Sequence, residues 1–153
     1  MISVRQAQVG EAETLTALCV RSKAHWGYDD TFMRLSQASL TVSDADIASG
    51  RVLVATDNDR VAGVARVEPD GELGVMFVDP PAMGRGAGRA LFAAAAALGR
   101  RLGARSMPIL ADPNAAPFYE RMGARFVSHA PSDAIPGRTL PLYEYDLTHE
   151  EMP

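Results

Sequence analysis

The stretch Phe77–Ala104, FVDPPAMGRGAGRALFAAAAALGRRLGA, carries three glycines at alternate positions between an apolar run and a block of alanines. The apolar run ends at Asp79 and is typical of a strand, and the alanines favour a helix. A glycine-rich turn between a strand and a helix leaves the first amides of the helix pointing at one spot. The stretch therefore predicts an anion-binding turn that suits a pyrophosphate, with Arg85 and Arg89 adding charge at its rim.

Two common phosphate-binding patterns do not fit this turn. A P-loop needs a Gly-Lys pair, which the sequence lacks. A dinucleotide fingerprint that starts at Gly84 and Gly86 needs a third glycine where Arg89 stands. The remaining alternative is a tight turn without a ligand. Three glycines in five residues beside two arginines favour anion binding.

The composition predicts one globular domain over residues 1–153. The chain is 47% hydrophobic and 22% charged, with a net charge of −4. Without a basic run, neither nucleic acid nor a membrane surface is an expected partner. The single cysteine, Cys19, allows no intrachain disulfide and agrees with a cytoplasmic location. The histidines are scattered, so no metal site is predicted.

The hydrophobic pattern predicts a mixed α/β protein in the order β-α-α-β-β-β-α-β-α-β-β. The clearest part is an antiparallel meander whose strands are joined by Asp-Asn-Asp and Pro-Asp-Gly turns. Strands are expected over 2–8, 51–57, 60–68, 72–79, 106–112, 124–130 and 139–147, and helices over 11–23, 30–40, 87–102 and 115–122.

Single residues refine this pattern. Asn114 is expected to cap the last helix, which ends at Gly123, and Ser43 is expected to cap a short helical turn. Leu102 should share a buried helix face with Leu91. Because proline cannot donate to a ladder, Pro141 predicts that the last strand lies at an edge or is bulged near its start.

The segment VDPPAMGRGAGRAL resembles the acetyl-CoA loop of the GNAT superfamily of N-acetyltransferases, whose pattern is Gln/Arg-x-x-Gly-x-Gly/Ala. The ungapped alignment places Met83 at the Gln/Arg position, so the leading side chain departs from the pattern. A second register, Arg85 to Ala90, satisfies the letters but moves the loop two residues from its strand. The first register keeps the backbone amides where they can hold a pyrophosphate.

A second segment, ADPNAAPFYERMGARF, resembles the later motif of the same family, in which an Asn precedes a helix that bears a Tyr. Asn114 and Tyr119 fall on those positions, and the family's Gly-Phe ending has become Gly-Ala-Arg-Phe. The segments HWGY and AIPGRTLPL are similar to a bacterial subgroup of the family.

The resemblance implies the GNAT fold, a mostly antiparallel twisted sheet of about seven strands splayed between its fourth and fifth strands and flanked by about four helices. Pantetheine would lie in the gap against the strand backbone, and Gly74 would mark the bulge that opens it. The coenzyme A contacts implied are Phe77, Val78, Met83, Gly84, Arg85, Gly86, Ala87, Gly88, Arg89, Asn114 and Tyr119.

The implied reaction is transfer of an acetyl group from acetyl-CoA to a primary amine of a small molecule or peptide, by direct attack. An N–H near Val78 would stabilise the oxyanion, and Tyr119 would protonate the leaving thiolate. No residue stands out as the general base. The candidates are Glu68, Glu72, Asp79 and His25. The alternative is a non-catalytic acyl-CoA-binding module that uses the same loop.

The segment AHWGYDD, residues 24–30, is expected to border the acceptor cleft. Trp26 and Tyr28 would face a cationic group, and His25 and Arg138 would line the same cleft. The structural alternatives are that Trp26 covers the core, that His25 is a satisfied surface histidine and that Arg138 flanks a Pro-Gly turn. The resemblance also favours a homodimer.

Overall fold

The computed structural model describes residues 1–148. Within them, the seven strands and four of the five α-helices follow one another in the predicted order. The remaining helix is short and was not in that order. The elements are β1 Ile2–Gln6, α1 Ala12–Ala24, α2 Asp30–Leu40, α3 Asp44–Ala48, β2 Val52–Asp57, β3 Arg60–Val67, β4 Leu73–Val78, α4 Ala87–Arg101, β5 Ser106–Leu110, α5 Ala116–Arg121, β6 Arg125–Pro131 and β7 Thr139–Asp146. The extra helix, α3, is the turn that Ser43 was expected to cap, and Ser43 forms a full capping box with Asp46.

The strands form two antiparallel sheets, ordered β1-β2-β3-β4 and β5-β7-β6. Within residues 1–148, no ladder joins β4 to β5. The two strands come together at their starts, where a Cβ on Gly71 would lie 3.2 Å from the carbonyl oxygen of Ser106. They separate toward their ends, which confirms the predicted splay between the fourth and fifth strands.

Two hydrophobic clusters cover the opposite faces of the four-stranded sheet. One contains α4, which contributes Leu91 and Ala95, and extends to the second sheet. The other contains α1 and α2, which contribute Leu15, Leu18 and Leu40. Helices thus cover both faces of this sheet. Because no ladder of the described strands closes the gap between β4 and β5, that gap is an opening between the two faces.

Two details of the sequence analysis are wrong. Leu102 is 41% exposed, because α4 ends at Arg101 and the chain turns away before that side chain can pack. Pro141 lies in the central strand of its sheet, since β7 pairs with both β5 and β6. The ladder between β5 and β7 ends at Leu142, so the missing amide of Pro141 removes no hydrogen bond from that ladder. The bulge lies in β6, between Phe126 and Ser128, and not in β7 near Pro141.

No helix in the described part of the chain is long and apolar enough to cross a membrane.

The close packing of α4 on β3 predicts the effect of one substitution. A Cβ on Gly63 would lie 2.8 Å from Leu91 Cδ1 and 3.0 Å from the carbonyl oxygen of Phe77. Because the strand backbone cannot move away cheaply, Gly63→Ala should lower the free energy of unfolding by about 1–3 kcal/mol in urea titrations. Gly99→Ala is the control, since its Cβ would meet only the flexible end of Leu147. Equal stability of Gly63→Ala and the wild type would contradict this packing.

Candidate functional site

A cavity of about 860 Å³ occupies the gap between the two sheets. One end is formed by the glycine turn and the first residues of α4, and the walls are formed by the ends of β4 and β5. The cavity continues past the sheet to the side covered by α1 and α2, where Ser22, Ser36 and Arg138 line it. We call this second part the α1/α2 chamber.

The glycine turn needs glycine for its backbone conformation. Gly84 has a φ of +82° and Gly86 a φ of +94°, both in the left-handed region. A Cβ at either position would meet no atom within 4 Å, so the space around them is open. Gly86 is the N-cap of α4, and no side chain caps the helix. The turn is therefore bent sharply while its amides stay uncovered.

Six consecutive amides, residues 84–89, have no hydrogen-bond partner within residues 1–148. The first helical bond of α4 runs from the Ala90 amide to the carbonyl of Gly86, at 3.1 Å. Free amides and the positive end of a fifteen-residue helix therefore coincide at one end of the cavity. This arrangement can bind an anion with several negatively charged oxygens.

The open edge of β4 supplies further donors. The Asp79 amide donates to the carbonyl of Ala62 at 2.8 Å, so strand alternation also turns the Phe77 amide toward β3. The amides of Met76 and Val78 consequently face the gap. At the other end of β4 the register skips Gly74, which is the predicted bulge, and a Cβ there would overlap the Glu68 carboxylate.

Most of the predicted coenzyme A contacts line the cavity. They are Phe77, Val78, Met83, Gly84, Gly86, Ala87, Gly88, Arg89, Asn114 and Tyr119. Arg85 does not line it: the guanidinium is 66% exposed and lies 3.7 Å from the Asp57 carboxylate. Arg121 at the end of α5 lines the cavity and was not predicted, because no motif marked its position.

Tyr119 is buried, with 6% of its surface exposed, and its ring packs on Phe118 and Phe92. Within residues 1–148, every fully buried side-chain oxygen has a hydrogen-bond partner. The Tyr119 hydroxyl has no such partner in this range, so it is not fully buried. The hydroxyl therefore reaches the cavity. Burial, with a smaller contribution from the negative charge of Asp112, raises the pKa of Tyr119 well above its ordinary value.

Asn114 does not cap α5. The N-cap is Ala115, without a side-chain hydrogen bond, and Asn114 instead donates from Nδ2 to Asp112 at 3.0 Å and to the Tyr28 hydroxyl at 3.2 Å. The turn that precedes α5 places Asn114 one residue too early for a cap. The backbone amide of Asn114 also donates to the Asp112 carboxylate, at 2.8 Å.

Asp112 is the centre of a group that we call the Asp112 cluster, formed with Lys23, Tyr28, Asn114 and Arg138. Its carboxylate accepts from Lys23 Nζ at 2.6 Å and from the Tyr28 hydroxyl at 2.8 Å. Burial alone would raise the pKa of Asp112, but the bonds from Lys23 and the Asn114 amide lower it below its usual value. The cluster ties α1 to the end of β5.

Lys23 and Asp112 were not predicted as site residues. Two signals were available. Lys23 is the only lysine of the chain and falls in the last turn of a predicted helix. Asp112 follows directly after a buried strand, a position where polar side chains often form a site.

The structure separates the four predicted acceptor contacts. Trp26 and Arg138 line the cavity, and His25 and Tyr28 do not. His25 is exposed and makes an edge contact with Trp26. Tyr28 stacks on Phe32 at 3.9 Å, and the cations over its ring are the protein's own Lys23 and Arg138. Tyr28 thus positions charged residues of the chain.

The four candidate bases also differ in placement. Asp79 is engaged by Arg21 at 3.0 Å, and neither it nor His25 lines the cavity. Glu68 lines the cavity but accepts from Arg66 at 2.7 Å.

Glu72 lines the cavity, and no hydrogen bond or ion pair engages its carboxylate within residues 1–148. Burial raises the pKa of Glu72, and the nearby carboxylates of Asp70, Glu68 and Asp133 raise it further. A carboxylate without a partner whose pKa lies nearer to neutrality is suited to accept a proton.

No group of three or more histidine, cysteine or acidic side chains within residues 1–148 is close enough to hold a metal ion.

Comparisons with known proteins place this geometry among acetyltransferases. Residues 48–123 match the family described as Acetyltransferase (GNAT) domain. No match among curated proteins was found.

Many solved structures share the fold, three of which serve as examples. The GCN5-related N-acetyltransferase from Rhodopseudomonas palustris, named as an aminotransferase of class II, has a TM-score of 0.78 at 24% identity, with 94% of each chain covered. PaiA N-acetyltransferase from Thermoplasma acidophilum, in complex with coenzyme A, has a TM-score of 0.76 at 13% identity, over 95% of this chain and 99% of that one. YncA from Salmonella typhimurium, a putative acetyltransferase with its cofactor acetyl-CoA, has a TM-score of 0.69 at 22% identity, over 100% and 98%.

Proposed function

The chain belongs to the GNAT family of acetyltransferases, and we propose that it transfers the acetyl group of acetyl-CoA to a primary amine by direct attack. The observation that carries the proposal is the run of six free amides at residues 84–89, of which all but that of Arg85 belong to residues that line the cavity beyond the end of β4. No side chain or backbone carbonyl of residues 1–148 satisfies them. A pyrophosphate supplies the oxygens that these amides lack.

The fit continues along the cavity. Arg89 and Arg121 line it and add positive charge near the pyrophosphate. The amides of Met76 and Val78 face the gap and can bind the pantetheine chain as a strand would. The sequence analysis assigned this role to Phe77 and Val78. We retain Val78 and replace the Phe77 amide with that of Met76.

Acetyl-CoA supplies an activated acetyl group whose carbonyl carbon is open to an amine. The Val78 amide donates to the carbonyl oxygen and stabilises its negative charge. Glu72 lies six residues before Val78, about 20 Å away along an extended strand, so it accepts the proton of the amine through bridging water molecules. The Tyr119 hydroxyl donates a proton to the leaving sulfur. A C–N bond forms and a C–S bond breaks, and solvent returns the proton from Glu72 to Tyr119.

Cys19 supports direct attack over an acetylated-enzyme route. It is the only cysteine of the chain and is buried between α1 and the sheet. Burial raises the pKa of its thiol to about 12, so almost no thiolate exists at neutral pH. The residue that would most readily carry an acetyl group as a thioester is therefore inert.

The free thiol also supports a cytoplasmic location, which is part of the proposal. The proposal further treats residues 1–153 as one domain. The homodimer, the bacterial origin and the independence from metal stay predictions.

The primary test measures unfolding with and without acetyl-CoA, and thiol release with a panel of amines. Acetyl-CoA at about 100 times its dissociation constant should raise the free energy of unfolding by about 2.7 kcal/mol. Stabilisation without thiol release from any amine would favour the non-catalytic acyl-CoA-binding module. Stabilisation by another nucleotide but not by acetyl-CoA would contradict both functions.

Gly86→Ala should raise the dissociation constant of acetyl-CoA about tenfold, because alanine at a φ of +94° strains the turn and redirects its amides. The matched control is Gly103→Ala, which lies at +86°, also has no atom within 4 Å of its Cβ and follows the other end of α4. Calorimetric titration measures both. The proposal requires a loss of affinity at Gly86 alone, and equal losses would contradict it.

Tyr119→Phe should lower kcat about a hundredfold, because the leaving sulfur loses its proton donor, and should leave the dissociation constant of acetyl-CoA unchanged. The control is Tyr145→Phe, whose ring also packs on Phe92 but does not line the cavity. Stopped-flow measurement of thiol release gives kcat. A kcat of Tyr119→Phe equal to that of the wild type would exclude Tyr119 as the proton donor.

Glu72→Gln should lower kcat/KM for the amine about a hundredfold at neutral pH. The base acts when ionised, so wild-type kcat/KM should rise with pH through a pKa above 4.5, and the variant should lose this limb. Because a raised carboxyl pKa destabilises the fold above that pKa, the variant should unfold no more easily than the wild type. Glu13→Gln, on the exposed side of α1, is the control. Retention of the acidic limb in Glu72→Gln would overturn the assignment.

A further inference from the structure

The proposed function does not identify the acceptor amine, but the residues of the α1/α2 chamber indicate its chemical class. Resting on that function, we infer that the acceptor amine also carries a carboxylate, which Arg138 binds while Glu72 faces the amine. The acceptor would then be an amino acid or a similar amino carboxylate.

Arg138 has the unused donors that such a site requires. Its side chain is 21% exposed and lines the cavity. One N–H donates to the Tyr28 hydroxyl at 3.1 Å, and the Asp112 carboxylate lies 3.9 Å away, beyond hydrogen-bond distance. A guanidinium has five N–H donors, and no further acceptor binds this one within residues 1–148. A carboxylate is the planar acceptor that matches two of them.

The charge of the Asp112 cluster favours a single negative charge on the ligand. Lys23 and Arg138 contribute two positive charges, and Asp112 contributes one negative charge. The negative charge is committed to Lys23, which lies 2.6 Å from it. Arg138 forms only a longer ion pair with the same carboxylate, at 3.9 Å, so the cluster carries one excess positive charge. A carboxylate neutralises it, whereas a doubly charged phosphate would also meet the repulsion of Asp112.

The guanidinium is held in place before a ligand binds. Its Cζ lies 4.9 Å from the centroid of Phe32 and 5.3 Å from that of Tyr28, and these two rings stack on each other. The Tyr28 hydroxyl accepts a hydrogen bond from the Arg138 guanidinium and fixes one edge of that group. Contacts of this kind reduce the entropy that the side chain loses on binding.

Within residues 1–148, the rest of the chamber contains one other arginine, Arg66, and two carboxylates without a hydrogen bond or ion pair, Glu72 and Asp133. Arg66 is paired with Glu68 at 2.7 Å and with Asp46 at 3.4 Å, so it offers little charge to a ligand. Glu72 lines the chamber without a partner, as described above. The chamber thus presents Arg138, which has unused donors for the carboxylate of an amino carboxylate, and the carboxylates of Glu72 and Asp133, which suit its ammonium group.

The test uses paired probes that differ only in the carboxylate: the standard L-amino acids, β-alanine and 4-aminobutanoate, each with its carboxamide. With the full chain saturated in acetyl-CoA, at least one acid should give a kcat/KM about ten- to a hundredfold above that of its amide. Arg138→Gln should abolish this preference by raising KM for the acid, and Arg138→Lys should restore part of it. Arg34→Gln, on exposed α2 outside the cavity, should retain the preference.

Equilibrium binding keeps the inference testable if no turnover occurs. The same acids should shift the melting temperature of the coenzyme A complex of the wild type, and the Arg138→Gln complex should show no such shift. Turnover of amines with no preference for the acids, or an equal preference in wild type and Arg138→Gln, would overturn the inference while leaving the proposed function intact. Absence of acetyl-CoA binding would instead overturn the proposed function.

Discussion

The open edge of β4 and the turn that follows it leave backbone amides without hydrogen bonds among the described residues, and the proposed coenzyme A site depends on these free donors. Within residues 1–148, β4 has a ladder on one edge only, as the other edge strands β1, β5 and β6 do, and its open edge faces β5 across the cavity. The chain then enters α4 through a turn that leaves six amides without partners. Of these six residues only Ala87 is buried and Gly88 half-buried, so water can reach most of the amides, as it does at other helix starts. Their position at the end of the cavity supports the proposed binding of a pyrophosphate.

The splay also gives the site two entrances. The cluster that contains α4 and the cluster that contains α1 and α2 lie on opposite faces of the sheet, and the gap joins them. A long donor can enter along the glycine turn while an acceptor approaches from the α1/α2 chamber. The Asp112 cluster joins α1 to the end of β5, so it holds the two walls of this chamber at a fixed separation. Lys23 and Asp112 are half-buried, so breaking their ion pair would leave a poorly hydrated charge without its partner, and the pair therefore constrains the shape of the chamber.

The sequence predicted the parts of this structure that are local. The glycine turn, the meander and the bulge at Gly74 follow from glycine, asparagine and aspartate at positions that other residues fit poorly, and the structure has all three. Side-chain roles that depend on distant partners were not predictable in the same way. Tyr28 and Arg138 were expected to face a ligand, yet Tyr28 contacts Asp112, which lies 84 residues away. Asn114 failed as a cap for the same reason: it binds Tyr28, a partner that no spacing rule identifies. The position of Pro141 in a central strand depended on where β5 ends, which the sequence does not show.

The most direct test of the central claim is an amide-resolved NMR titration of the full chain with coenzyme A. The amides of residues 84–89 have no acceptor in the described chain, so binding should shift these resonances more than any others and slow their exchange with water. Smaller shifts should follow for Met76 and Val78, while Phe77, whose amide faces β3, should change less. Binding that leaves the resonances of residues 84–89 in place, or that shifts Phe77 more than Met76 and Val78, would contradict the account.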